Sequence, residues 1–193
     1  MNHWIRWVSL VLITFALPGC STSADRASEE PTGTPSSATT SSPSEAQSAV
    51  EEVAPATGTL LAVQGSQLRI PGHWEADSQL LMQVAGHDPE DPLTFMTLFR
   101  FPQINRSIDE LTRENATRRT WDFKLKRRAD VTVDGHVASH LEGKVYADEY
   151  VVLFSTLWNG ESLELQFNFA NGEPKVERDE IVQSVLATWE FTS

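Results

Sequence analysis

Apolar and polar residues alternate differently in three parts of the chain. An apolar run from Val8 to Leu17 follows a short segment with Arg6, and it is shorter than the roughly 20 residues of a membrane-spanning helix. Residues 20–58 contain no aromatic residue, Leu, Ile or Met, and 28 of these 39 residues are Ser, Thr, Pro, Gly or Ala. Such a segment cannot form a core. The pattern predicts a disordered tether over residues 20–58 and one folded domain over residues 59–193.

Periodicity within the domain predicts two early strands and two helices. The strands are Leu80–Ala85 and Leu93–Phe101, separated by a loop in which two prolines interrupt any sheet. Ser107 followed by Glu110 fits a capping box, which predicts a helix from there to about Arg118. The second helix has Pro174 in its first turn and an apolar stripe at helical spacing, formed by Ile181, Val182, Val185 and Leu186.

Residues 122–171 predict an antiparallel meander of four strands. The first strand has apolar residues at odd positions: Phe123, Leu125, Ala129, Val131 and Val133. A three-residue turn, Asp134-Gly135-His136, would pair Val133 with Val137 and Ala129 with Leu141. A turn at Tyr146 to Glu149 would place Leu141 opposite Phe154, and the Asn159-Gly160 turn would place Phe154 opposite Leu165 and Val152 opposite Phe167. These registers predict one apolar face across four strands.

Some strands are apolar on both faces, so we expect cover on both sides of a mainly antiparallel sheet. The predicted class is α+β.

Charge and cysteine content exclude several function classes. The chain has 15 basic and 27 acidic residues, a formal net charge of −12, and one cysteine. Nucleic-acid-binding proteins present basic surfaces, so nucleic acid is not the expected partner. A single cysteine can form neither an internal disulfide nor a Cys-rich zinc site. No Gly-x-Ser-x-Gly motif and no phosphate-binding glycine loop are present.

The only cysteine follows the apolar run directly. Leu17-Pro18-Gly19-Cys20 resembles the bacterial lipoprotein box, in which the cysteine is lipidated and becomes the new N-terminus. Residues 1–19 are then a lipoprotein signal peptide. The resemblance implies a lipid anchor at Cys20, a diacylglycerol thioether often accompanied by an N-acyl chain such as palmitate. It predicts a protein on the extracytoplasmic face of the cell membrane. The alternative is an ordinary signal peptide with an incidental cysteine.

Several short motifs in the domain together resemble a known family. They are Ile70-Pro71-Gly72-His73-Trp74, the helix beginning at Ser107, Val133-Asp134-Gly135, Leu141-Glu142-Gly143, and the ending from Ile181 to Phe191. Over nearly all of residues 66–193 they resemble the PsbP-like superfamily, and in particular the LpqN-type lipoproteins of actinobacteria. The resemblance implies an α/β/α sandwich that binds a partner or ligand, with no catalytic residues and no cofactor.

The main candidate site is a basic segment in an acidic domain. Residues 118–128 carry six cations and one acid, whereas the domain as a whole has 13 basic and 21 acidic residues. Together with residues expected on neighbouring strands, the candidate binding patch is Lys124, Lys126, Arg127, Arg128, His140 and Glu142. It would suit an anionic lipid headgroup, a glycopolymer or an acidic protein. The alternative is a solvated edge row with Arg128 paired to Glu142.

The predicted register gives neighbours for two residues of this patch, His140 and Arg127. It places Asp130 beside His140, which suggests a charge pair rather than a metal ligand, and Arg127 on the apolar face opposite Gly143. A buried Arg127 would need an acidic partner that the sequence does not identify, and the simpler interpretation is that the strand begins near Arg128.

Two further groups of residues have a chemical and a structural interpretation. His87, Asp88, Glu90 and Asp91 could offer ligands to a divalent ion, although a solvated acidic turn is the favoured interpretation because the spacing matches no known metal motif. Trp74, Trp121, Trp158 and Trp189 lie at the ends of elements, where core edges are favoured over an aromatic ligand cleft.

The sequence favours a lipid-anchored binding or accessory protein of the cell envelope, without catalysis. Two alternatives stay open: an envelope enzyme acting on lipid or glycan, and a structural subunit of a secretion or wall-building assembly.

Overall fold

The computed structural model describes residues 53–77, 80–102, 106–118 and 120–193, all within one compact unit, Ser48–Ser193. The predicted signal peptide, Cys20 and residues 21–52 of the predicted tether lie outside the described residues. The fold is mostly antiparallel sheet with two helices. Its elements are β1 Leu60–Val63, β2 Ser66–Arg69, β3 Glu75–Ala76, β4 Gln83–His87, β5 Phe95–Pro102, α1 Ile108–Ala116, β6 Lys126–Arg127, β7 Val131–Val133, β8 His136–Lys144, β9 Glu149–Trp158, β10 Glu161–Ala170, α2 Lys175–Leu186 and β11 Glu190–Phe191.

The strands form a large and a small sheet. The large sheet has the order β3-β4-β5-β10-β9-β8-β6, and β7 also pairs with β8. The small sheet, β1-β2-β11, joins both ends of the domain, because Phe191 pairs with Ser66. Trp189 strengthens this junction: its Nε1 donates to Ser66 Oγ at 2.6 Å, and the ring is buried.

Helix α1 begins at the predicted capping box. Ser107 Oγ accepts the Glu110 backbone N–H, and the Glu110 carboxylate accepts the Ser107 N–H at 2.9 Å. The helix ends at Ala116, two residues before the predicted end. It buries Leu111, Thr112 and Asn115.

Helix α2 carries the predicted apolar stripe. Pro174 immediately precedes it with a φ of −58°, which suits a helix start. Val182 and Val185 are buried in the main core, and Ile181 and Leu186 pack against it.

One of the three predicted turns has the predicted register. Asn159 and Gly160 have φ of 49° and 80°, as a two-residue hairpin turn requires. Leu165 is therefore opposite Phe154, and Phe167 is opposite Val152.

The register predicted from Asp134-Gly135-His136 is wrong by one residue. Only Asp134 and Gly135 form the turn, with φ of 45° and 77°, so Val133 pairs with His136 and not with Val137. Val137 is consequently 57% exposed and Ala138 is buried. The turn before β9 is also displaced, because Leu141 pairs with Leu153 and His140 pairs with Phe154.

The displaced register divides the apolar residues between the two faces of the sheet. Phe154, Leu165 and Ala138 belong to the main core, together with residues of α2 and the small sheet. Leu141 and Leu153 instead belong to a second cluster, with Leu125, Val145 and Val151. The predicted single apolar face over four strands is therefore corrected to two apolar clusters.

The first strand of the predicted meander is also interrupted. Residues 128–130 separate β6 from β7, and Arg127 pairs with Leu141 rather than lying opposite Gly143. The predicted start of this strand near Arg128 is wrong, because β6 begins at Lys126, includes Arg127 and ends before Arg128. Leu125 is buried as expected, but Ala129 is exposed and Phe123 is 52% exposed.

The first described residues pack against the domain. The Ala56 N–H donates to Ser184 O of α2 at 2.9 Å, and Ala56 is buried in the main core. The Gly58 N–H donates to Ile70 O at 2.9 Å, and a Cβ at position 58 would lie only 2.4 Å from Pro71 O. Close packing against the backbone thus requires glycine at this position.

Candidate binding site between helix α2 and the sheet

The structure separates the six residues of the predicted patch. Arg128, His140 and Glu142 line a common cleft against α2. Lys124 and Lys126 are exposed at the edge of the sheet. Arg127 turns away from the cleft: its guanidinium donates to Asp130 at 2.9 Å and to Asp109 of α1 at 2.8 Å. These are the acidic partners that sequence reasoning could not identify, and the same pairs raise the pKa of Arg127.

The cleft has a volume of about 400 Å³ and an apolar floor, and it falls within the usual size range of small-molecule sites. Its floor is formed by Val131, Val152, Phe154, Val182 and Leu186, and its polar lining is formed by Arg128, His140, Glu142, Lys175, Asp179 and Gln183. Strand alternation places His140 and Glu142 on the same side of β8, facing α2. The cleft therefore combines an apolar floor with polar groups from two elements.

A charged pair stabilises one end of the cleft. Arg128 Nε donates to Glu142 Oε1 at 2.6 Å, which confirms the predicted pairing of these side chains. This hydrogen bond raises the pKa of Arg128. Tyr150 of β9 lies beside the pair; its pKa is raised by burial and then by Glu142, and its ring supports the Arg178 guanidinium at 4.0 Å.

His140 brings to the cleft a buried ring nitrogen without a hydrogen bond. Its Nε2 is buried without a hydrogen bond and lies 3.7 Å from Glu142 Oε2, too far for one. The ring stacks on Phe154 with centroids 4.6 Å apart. Burial lowers the pKa of His140, so the imidazole is neutral near pH 7. The predicted charge pair with Asp130 is wrong: Arg128 lies beside His140 through its N–H to His140 O at 2.9 Å, and Asp130 binds Arg127.

Sequence reasoning missed the contribution of α2 to this site. Lys175 forms an ion pair with Asp179, and both line the cleft together with Gln183. The spacing of Lys175, Asp179 and Gln183 places them on one face of a helix, so periodicity could have identified them as a group. Their position opposite β8 depends on tertiary packing and has no local pattern.

A second cleft, of about 420 Å³, lies beside α1. The Glu164 carboxylate, 3% exposed, is paired with Arg118, whose Nη2 also donates to Asn115 Oδ1 at 2.9 Å. Asn115 in turn donates to Ser155 Oγ at 3.1 Å. Glu164 thus lines this second cleft and not the cleft beside α2.

Comparison with known proteins gives similarities only among solved structures. No family model matches the chain, and no curated protein matches it. A protein of Bacteroides thetaiotaomicron VPI-5482 is 14% identical with a TM-score of 0.49, over 70% of this chain and 49% of that one. This chain thus spans about half the length of the Bacteroides protein.

Two further structures are similar to a comparable extent. Cyanobacterial PsbP from Synechocystis sp. PCC 6803 is 11% identical with a TM-score of 0.46, over 66% of this chain and 87% of that one. LpqN of Mycobacterium tuberculosis, a protein involved in cell envelope biogenesis, is 14% identical with a TM-score of 0.45, over 70% of this chain and 90% of that one.

The acidic loop considered for metal binding has structural roles. Asp88 Oδ1 accepts the Glu90 N–H at 2.8 Å, and Asp91 accepts the Leu93 N–H at 3.0 Å. His87 Nδ1 lies 3.2 Å from Asp77. Across residues 53–77, 80–102, 106–118 and 120–193, no three His, Cys, Asp or Glu side chains are grouped as a metal site.

The four tryptophans belong to the two apolar clusters or pack against them. Trp74 and Trp189 are buried, and Trp158 is half-buried and stacks on Phe191 with centroids 5.3 Å apart. His136 packs against the edge of Trp158, at 4.7 Å between centroids. Trp121 lies under the Arg118 guanidinium at 5.4 Å.

In the described part of the chain, no helix is both long and apolar enough to cross a membrane.

Proposed function

We propose that this protein is a lipid-anchored, extracytoplasmic binding protein of the cell envelope that takes its ligand into the cleft between α2 and the sheet, without catalysis. The observation that carries the proposal is the His140 Nε2 atom, which is buried without a hydrogen bond beside the Arg128–Glu142 pair in a cleft with an apolar floor. Concave sites with an apolar lining and a few fixed polar groups are the usual form of small-molecule sites.

The charges of the cleft favour an uncharged ligand. Arg128 is paired with Glu142, and Lys175 with Asp179, so the four charges balance. A charged ligand would have to break one of these pairs. His140, being neutral, offers hydrogen bonding to a hydroxyl or carbonyl group. The proposed ligand therefore has an apolar body and one uncharged hydrogen-bonding group.

We propose in addition that α1 and α2 lie on opposite faces of the large sheet. Asn115 of α1 bonds Ser155 of β9, whereas Val182 of α2 belongs to the same core as Phe154. Adjacent residues of a strand point to opposite faces, which supports a three-layer sandwich with the cleft on the α2 side.

The membrane location rests on the segment before the described residues. The cysteine motif ending at Cys20 and the apolar run before it support lipidation, and two or more acyl chains give stable anchoring. A Cys20→Ala variant is expected to move from the membrane fraction to the soluble or secreted fraction, as measured by immunoblotting. A variant that remains in the membrane would show that another segment anchors the chain.

The cleft can be tested by blocking it. Gln183 lies exposed at its rim, so Gln183→Trp should fill the opening without disturbing the core. We expect this variant to bind the neutral apolar fluorophore N-phenyl-1-naphthylamine at least about tenfold more weakly than the parent, a loss of about 1.4 kcal/mol. Glu180→Trp is the matched control, because Glu180 is exposed on α2 outside the cleft lining. Equal binding by the two variants would exclude the cleft as the site.

A further inference from the structure

Phe123 is exposed among lysines that lack acidic partners. Its side chain is 52% exposed, although the alternation of the sequence predicts it on the core side. Lys124 and Lys126 are exposed, and Lys144 Nζ lies 6.0 Å from the centre of the Phe123 ring. We call these four residues the Phe123 cluster.

Strand pairing holds the cluster in place. In the backbone pairing of β6 with β8, Lys126 lies opposite Glu142. Leu125 is buried in the second apolar cluster. The backbone of residues 124 and 125 runs beside Gly143, with Lys124 O at 3.8 Å and Leu125 Cα at 3.7 Å from the position of a Cβ there. This pairing places residues 123–126 alongside residues 142–144, so the three lysines and Phe123 lie on neighbouring backbone segments at the same edge of the sheet.

The other described cations of the same basic segment have acidic partners. Arg118 binds Glu164, Arg127 binds Asp109 and Asp130, and Arg128 binds Glu142. In the part of the chain that the structure describes, Lys124, Lys126 and Lys144 form no ion pair. The local positive charge of the segment is therefore concentrated in the Phe123 cluster.

We propose that the Phe123 cluster is a docking surface for the anionic headgroups of a phospholipid bilayer. Lysines attract anionic headgroups, and aromatic rings favour the interface between headgroups and acyl chains. An exposed phenylalanine gains more from burial among acyl chains than from contact with a hydrophilic polyanion, which is why the geometry favours a bilayer over an anionic polymer. The domain is acidic overall, with 13 basic and 21 acidic residues. The attraction is therefore local and acts within about a Debye length, roughly 10 Å at 0.1 M salt.

This inference goes beyond the proposed ligand cleft and does not depend on it. Each basic residue close to an anionic membrane surface strengthens binding about fivefold. The three lysines of the Phe123 cluster would therefore bind strongly enough to orient a domain that is already near a membrane.

The test uses residues 21–193, which keep every described residue and omit the lipid. Sedimentation is measured with vesicles of phosphatidylcholine alone and with vesicles in which about a third of the lipid is phosphatidylglycerol. We expect binding only to the anionic vesicles, with a partition coefficient that falls as salt rises. Lys124→Gln and Lys126→Gln should each reduce it about fivefold, and the triple variant with Lys144→Gln about a hundredfold.

Two matched controls separate the cluster from general charge and general hydrophobicity. Arg113→Gln removes an exposed cation of α1 that interacts electrostatically with Glu110 but forms no ion pair among the described residues, and it should change binding less than twofold. Phe123→Ser should weaken vesicle binding, whereas Val176→Ser, at a residue 76% exposed on α2, should not. Circular dichroism checks that each variant is folded.

Three outcomes would overturn the proposal. The first is an equal loss of binding to anionic vesicles in Arg113→Gln and in the lysine variants, which would indicate a general charge effect. The second is equal binding to both kinds of vesicle. The third is equally tight binding to soluble polyphosphate with no effect of Phe123→Ser, which would indicate an anionic polymer as the occupant.

Discussion

His140 gives the protein a specific dependence on pH. Burial lowers its pKa in the folded state, while the groups facing it act in both directions: Glu142 and Asp179 raise it, and Arg128 and Lys175 lower it. Because the unfolded chain then binds the proton more tightly, the stabilisation is complete above the unfolded pKa of about 6.5 and is lost as pH falls through the folded pKa.

We therefore expect the free energy of unfolding to fall between pH 7 and pH 5 by more in the parent than in His140→Phe. Phenylalanine keeps the stacking on Phe154 but cannot titrate. Urea denaturation at several pH values measures the difference. Identical pH dependence in the two proteins would assign the acid sensitivity to other groups.

Arg118 should matter far more to stability than Arg106, although both form ion pairs with glutamates. Removing Arg118 leaves the Glu164 carboxylate buried without its cation, which costs about 3 kcal/mol or more. The Arg106–Glu114 pair is about half exposed and contributes less than about 1 kcal/mol. Urea denaturation of Arg118→Ala and Arg106→Ala measures the free energy of unfolding that each variant loses. Equal losses in the two variants would contradict the prediction.

At the scale of elements, the β9–β10 hairpin depends on the left-handed conformation of Gly160. Its φ of 80° is strained for any residue with a Cβ, so Gly160→Ala should destabilise the protein by about 1–2 kcal/mol. Gly172 has open space around it and no positive φ, so Gly172→Ala should have little effect. Thermal denaturation of the two variants checks the difference. A similar loss in both would show that the hairpin conformation is not the cause.

The sequence predicts elements with local determinants better than it predicts pairing. The capping box at Ser107, the stripe on α2 and the Asn159-Gly160 hairpin depend on residues close in the chain, and all three are confirmed. The Asp134-Gly135 register is wrong because both faces of β8 and β9 carry apolar residues. Alternation specifies a register strongly only where one face is polar.

The small sheet and the full cleft could not be predicted from the sequence, because both depend on contacts between residues far apart in the chain. β1, β2 and β11 are four residues or fewer, and β11 pairs with a strand about 120 residues earlier. The cleft was predicted in part, since Arg128 and Glu142 were expected to pair and His140 to lie near them. The facing wall of α2 arises from packing between elements that no local pattern connects.

At the scale of the whole molecule, residues 53–58 contribute to the stability of the domain. Ala56 is buried, and two backbone hydrogen bonds join this segment to Ser184 and Ile70. A chain beginning at Thr59 should therefore unfold at lower urea concentration than one beginning at Val53, with a loss of about 2 kcal/mol. Chains beginning at Ser48 and Val53 serve as the control pair and should be equally stable. An unchanged urea midpoint for the chain beginning at Thr59 would mean that the contacts of residues 53–58 do not stabilise the domain.

The junction between Ser66 and residues 189–191 also determines when the domain can fold. Trp189 and β11 complete the core over β2, and the residues they join are more than 120 positions apart. Until residues 189–191 have left the ribosome, the β1–β2 hairpin has no third strand and Ser66 has no indole to bind. Closure of the core over β2 therefore has to wait for the synthesis of Trp189 and β11.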